Sequence, residues 1–329
     1  MPPPYFYPEP PESIERRAIK RCGNVLGGVF CLSNIGITAV QILLMLVVAL
    51  FYGNSVMATV FSDPIVLLLV QLIGSILMFT VPFLIGARVL KNRVSDLLPL
   101  RGVEPAALAL CAGAGLMVCM IANLATTALS NVLTELGMPP SQADFPIPSG
   151  GAGKALYLLT ISLAPALVEE FALRGVVLGS LRRYGDSFAI LVSAALFGLM
   201  HGNLVQIPFA FVLGLLFGWL TVVTGSMWPA ILIHFLNNFF AGVLELAGNT
   251  FPEYAGLLSG GYVLLLLLGG LCCLAALIRL RPALFRLPAS RAVLPLGKQI
   301  GAFTGSAGII LTLILYGLSI LSMQLTFTL

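Results

Sequence analysis

Long apolar stretches follow one another along the chain, separated by short polar segments, and none shows the two-residue alternation of a barrel strand. Nine such stretches predict helices, at about 25–52, 65–87, 106–136, 153–174, 187–202, 205–223, 228–247, 260–279 and 302–325. Most can cross a hydrocarbon core of about 30 Å at a rise of about 1.5 Å per residue. Lipid leaves backbone groups unsatisfied except in helices and closed barrels. The expected fold is therefore all-α, a polytopic membrane helical bundle of eight to nine transmembrane helices. The shortest prediction, 187–202, ends at a break near Gly202-Asn203. Pro208 then suits the first turn of the next helix, where its missing N–H does no harm.

The pattern divides the chain into four parts. Residues 1–24 read as a Pro-rich and basic N-terminus, disordered over MPPPYFYPEPPE, with a short interfacial helix over 13–22. Residues 25–149 hold the first transmembrane helices, 150–245 a core with the unusual polar residues, and 246–329 the last helices. Residues 280–301 form a basic, proline-rich loop. No signal-peptide pattern precedes the first apolar run.

Composition sharpens this picture. The chain is 59% hydrophobic and 9% charged, against about 25% charged in soluble domains. Its Lys and Arg cluster at 16–21, 88–101, 174–183 and 279–298, with Lys154 alone. Threading nine spans puts every cluster on one side, and basic clusters mark the cytoplasmic side. The loops 53–64, 137–152 and 248–259 carry Asp63, Asp144 and Glu253 but no Lys or Arg. A cytoplasmic N-terminus and an outward C-terminus are expected, and the bareness of the chain suggests a bacterial plasma membrane. No basic stripe interleaved with aromatics points to nucleic acid. The six cysteines form no C-x-x-C and read as reduced packing residues, with acylation of Cys22 beside the basic cluster as the alternative.

The chemistry sits in a few ionisable groups at membrane depth. An ionisable residue near a helix centre costs about 2.5–3.5 kcal/mol on insertion scales, which makes a functional site its default reading. The chain has two histidines, His201 and His234, both in apolar runs, and an adjacent pair, Glu169 and Glu170, with Arg174 beyond. Glu170 and Arg174 are four apart and share a helix face, which suits an ion pair. Glu169 points about 100° away and is the freer carboxylate, a candidate general base. Pro165, four residues before Glu169, removes a helical hydrogen bond and opens room for water. Glu169 and His201 each lie sixteen residues from Gly185, so a helical hairpin brings them to similar depth. His234 and Asn238 share one face and form a donor pair suited to an oxyanion, whereas Asn237 points elsewhere. Each element alone has a plainer reading: a cytoplasmic rim cluster for the carboxylates, an interfacial histidine for His201, packing glue for His234 and Asn238. Gly175/Gly179 and Gly214/Gly218 read as close-packing pairs.

The order Glu169-Glu170-x-x-x-Arg174, Phe197-x-x-x-His201 and His234-x-x-x-Asn238 resembles the CAAX protease and bacteriocin-processing family of intramembrane proteases. That family includes type II CAAX prenyl endopeptidases and bacterial proteins tied to bacteriocin maturation or self-immunity. The likeness covers about residues 150–245. It implies that Glu169 and His201 activate a water, that His234 and Asn238 hold the oxyanion, and that Glu170 and Arg174 orient the first pair. The implied partners are a membrane-associated peptide or protein substrate and the lipid bilayer, with no nucleic acid. Glu169, His201 and His234 also match the ligand set of hydrolytic zinc sites, so Zn2+ is the one cofactor under consideration. The metal-free mechanism with a glutamate base is the favoured one. Two other functions compete: a non-catalytic membrane immunity or binding protein using the same fold, and a proton-coupled transporter.

Overall fold

The structure is a computed structural model that describes residues 9–138, 147–289 and 292–328. The expectations placed on residues 1–8, on half of the loop 137–152 with Asp144, and on Arg291 lie outside the described residues. Among the described residues every element is helical, apart from one isolated antiparallel bridge between Leu100 and Ser226. Among the described residues seven helices are long and apolar enough to cross a membrane, or eight if a bent pair at the C-terminal end counts as one span. The chain is thus a multi-pass membrane protein.

In chain order the helices are α1 Pro11–Tyr52, α2 Asn54–Val60, α3 Pro64–Val89, α4 Val94–Leu97 and α5 Pro105–Glu135. They continue with α6 Gly151–Tyr184, α7 Asp186–Leu199, α8 Gln206–Thr224, α9 Trp228–Thr250 and α10 Pro252–Leu280. The last two are α11 Leu296–Thr304 and α12 Ala307–Thr328. Start signals lie where the sequence provides them. Asp63 accepts hydrogen bonds from the N–H groups of Ile65 and Val66 at 2.8 and 3.2 Å, ahead of Pro64 in the first turn. Gly225, left-handed at φ 65°, closes α8.

Three expectations need correction. No boundary falls at residue 24: α1 runs unbroken from Pro11, so the basic segment is the first third of a 42-residue helix. Glu15 in that segment accepts from Val293 N at 2.8 Å and from the Gln299 amide at 3.2 Å, tying it to α11. The stretch 187–202 gives the 14-residue helix α7, about 21 Å long and short of a bilayer core. The stretch 302–325 is not one helix, because α11 and α12 meet at a 70° bend. Ser306 sits in that bend, buried, its hydroxyl on Phe303 O.

Close approaches hold the centre together. A Cβ on Gly214 would lie 2.7 Å from Ala194 Cα, and one on Gly179 would lie 3.1 Å from Leu97 O. The glycine pairs are packing devices, as read from their spacing. The buried core gathers Leu173, Val176, Phe188, Phe197, Phe217 and Ile233 from α6 to α9. All six cysteines are free; Cys22, Cys31, Cys111 and Cys119 are buried. Burial of Cys22 removes it from reach of an acyl donor.

Candidate active site

Helix α6 is not uniform, and its irregularity places the carboxylates. A π-helical segment, Leu159–Leu163, precedes the α-helical turn Ala164–Glu170, and a second, Phe171–Val177, succeeds it. Each π segment inserts a residue into the α-helical register and rotates the remainder of the helix about its axis. Pro165 begins the turn between them and has no N–H to offer Ile161 O, four residues back. Asn238 Nδ2 donates to that carbonyl instead, at 3.2 Å from α9. The proline expected to open the helix thereby also anchors the amide expected opposite it.

Glu170 and Arg174 are both completely buried. Arg174 Nη1 donates to Glu170 Oε1 at 3.1 Å, and Nε lies 3.1 Å from Oε2 in charge contact without hydrogen-bond alignment. Arg174 Nη2 reaches Gly214 O at 3.4 Å. Its guanidinium carbon stands 4.3 Å from the centre of the Phe197 ring and 5.1 Å from that of Phe217, so two aromatic faces replace its lost water. This burial excludes the rim-cluster reading and removes Arg174 from the basic inner face.

His234 is bound to this pair. Its Nδ1 lies 3.0 Å from Glu170 Oε1, and its ring stacks on Phe217 at 5.6 Å. A carboxylate can only accept, so Nδ1 carries a proton and Nε2 is left facing Glu169 Oε2 at 3.9 Å. Glu170 Oε1 thus takes hydrogen bonds from both Arg174 and His234. His201 lies just past the end of α7. Its Nδ1 is 2.8 Å from Phe197 O, which makes Nδ1 the donor and Nε2 the acceptor of the neutral ring. Gly202, left-handed at φ 63°, turns the chain away at this point.

These groups share one cavity of about 260 Å³ between α3, α6, α7, α8 and α9. Glu169, His201, His234 and Asn238 all line it. Glu169 Oε2 is buried with no hydrogen-bond partner among the described residues. Asn237, expected to point elsewhere, donates to Asn238 Oδ1 at 3.0 Å and fixes which end of that amide is the donor. Three further polar residues were missed from sequence. Gln71 of α3, Thr160 of α6 and Gln206 of α8 also line the cavity; the signal for Gln71 was a lone carboxamide in an apolar run.

The donors considered for zinc do not assemble. Among the described residues no group of three His, Cys, Asp or Glu side chains is placed to hold one metal ion. The residues present therefore do not fit a zinc ion.

Comparison with known proteins adds an independent line. Residues 151–240 match the profile of the family described as "Type II CAAX prenyl endopeptidase Rce1-like", so the resemblance read from the residues holds over this segment. The chain is 27% identical over 92 residues to the "Putative membrane peptidase YdiL" of Bacillus subtilis, covering 28% of this chain and 38% of that protein. It is 30% identical over 98 residues to the "Membrane-embedded CAAX protease MroQ" of Staphylococcus aureus, covering 28% and 40%. The matches thus span about two fifths of these relatives' length. No solved structure matches the chain.

Proposed function

We propose that this protein is a membrane-embedded endopeptidase that hydrolyses a peptide bond of a membrane-associated peptide or protein, with Glu169, His201, His234 and Asn238 as its reacting set. The observation that carries the reading is that these four line one cavity, backed by the buried Glu170 and Arg174. A similar segment in proteins named as a membrane peptidase and a CAAX protease supports the same class.

A water held between Glu169 and His201 Nε2 gives one proton to Glu169 while its oxygen attacks the scissile carbonyl carbon. The carbonyl electron pair moves onto oxygen. That oxyanion takes hydrogen bonds from His234 Nε2 and from the second N–H of Asn238 Nδ2, the first being held by Ile161 O. His234 donates from both nitrogens only as an imidazolium, and the Glu170 carboxylate at its Nδ1 is the counter-ion for that charge. The intermediate then collapses: the C–N bond breaks, and the proton on Glu169 passes to the leaving amine. A new acid and a new amine result.

Cleavage of a fluorogenic membrane-peptide library by purified protein in detergent tests this. Glu169→Gln, nearly isosteric, is expected to lower kcat by about 10²–10⁴-fold, the usual worth of a general base. Equal cleavage by wild type and folded variant would overturn the assignment of the base. Wild-type activity is expected to survive chelator stripping in full; activity lost on stripping and regained with zinc would overturn the metal-free route.

A further inference from the structure

We infer that Gln71 and Thr160 hold the substrate main chain beside the scissile bond, as specificity-determining residues of this cavity. The inference rests on the peptidase reading above and says how the same site takes its substrate.

Thr160 carries the one buried hydroxyl without a hydrogen-bond partner among the described residues. Helical hydroxyls usually fold back on the carbonyl four residues earlier. Thr126 does so on Ala122 O at 2.8 Å, Thr221 on Phe217 O at 2.8 Å, Thr312 on Gly308 O at 2.9 Å, and Ser162 on Leu158 O. Thr160 lies in the π segment Leu159–Leu163 and lines the cavity. A buried hydroxyl left unpaired is costly, so its position makes sense when a ligand completes it.

Gln71 comes from α3, outside the segment matched by the family profile. It is the one carboxamide in α3. A carboxamide offers a donor and an acceptor side by side, which is what a peptide unit offers in reverse. A peptide entering a cavity at membrane depth brings N–H and C=O groups that lipid cannot satisfy. The four reacting residues are committed to the water and the oxyanion. Of the remaining polar lining residues, Gln206 sits at the first turn of α8, and Gln71 and Thr160 line the cavity from α3 and α6 as the groups assigned here to the flanking peptide units.

The test uses the best-cleaved library peptide and the full-length protein. Gln71→Leu and Thr160→Val are each expected to raise KM about three- to tenfold, the usual worth of one hydrogen bond, with kcat within about twofold. Thr160→Ser, which keeps the hydroxyl, is expected to restore KM. Esters replacing the amides next to the scissile bond should weaken KM in wild type and have no further effect in Gln71→Leu. Unchanged KM in both apolar variants, with cleavage still dependent on Glu169, overturns this inference alone. A KM rise with additive ester effects and a lowered unfolding midpoint assigns the residues to packing and overturns it too. A wild type that cleaves nothing overturns the peptidase reading itself.

Discussion

Helices α10 and α6 invert the rule of soluble proteins. The most apolar window of α10 has a mean hydropathy of 2.6 and is 11% buried, whereas that of α6 has 1.6 and is 44% buried. Leu264, Leu265, Leu268 and Leu271 of α10 are all more than half exposed, while Glu170 and Arg174 of α6 are not exposed at all. In water apolar surface drives a helix inward. In lipid that drive is absent between helices, and small and polar residues take the protein-facing side. Departures from apolarity therefore locate the interior of this bundle, and the interior contains the site.

The largest effect expected is the loss of turnover in Glu169→Gln. Next comes the pair behind it. Arg174→Met leaves Glu170 buried without its guanidinium, and removing one partner of a buried pair costs about 3–5 kcal/mol. The unfolding midpoint in detergent should fall steeply. Glu170→Gln combined with Arg174→Met should recover much of that stability but not the activity, because His234 Nδ1 loses the carboxylate that holds it. Equal stability of Arg174→Met and wild type would mean that α6 is no more an interior helix than α10.

Asn238→Ala should cost about 10²–10³-fold in kcat, as the removal of one oxyanion donor does elsewhere. Asn237→Ala should cost less and also act on kcat, since Asn237 only fixes the amide's orientation. A change in KM alone for either would assign both amides to binding.

These contrasts also mark what the sequence carried. Apolar runs and charge located most of the helices. The spacings Glu170–Arg174, Phe197–His201 and His234–Asn238 located side chains that do meet in space. The link between Glu170 and His234 was not legible, since two carboxylates one residue apart offer no sign of which faces the distant histidine. The π segments of α6 were not legible either, because they are a backbone register change and Pro165 marks only their junction. Gln71 stayed hidden because its helix lies far from the motifs in sequence. The length of α1 was misjudged because charged residues near its start look like a boundary, although Glu15 is held there by α11 and the segment before it.

The smallest effects return to α10 and divide its two faces. Gly270 packs on α5 so closely that a Cβ would lie 2.3 Å from Met117 Cβ and 2.8 Å from Gly113 O. The second contact is backbone and cannot rotate away, so Gly270→Ala should destabilise by about 1–3 kcal/mol, as overpacking does. Leu265, five residues earlier, is 67% exposed. Leu265→Ala removes side-chain surface that meets lipid in both folded and unfolded states, and the change should stay within about 0.5 kcal/mol. Unfolding midpoints in detergent should therefore separate the two variants, although the change at Gly270 adds one methyl and the change at Leu265 removes three carbons. A Leu265→Ala protein less stable than Gly270→Ala would show that the exposed leucines of α10 are covered by protein, and that burial, not lipid, accounts for its apolarity.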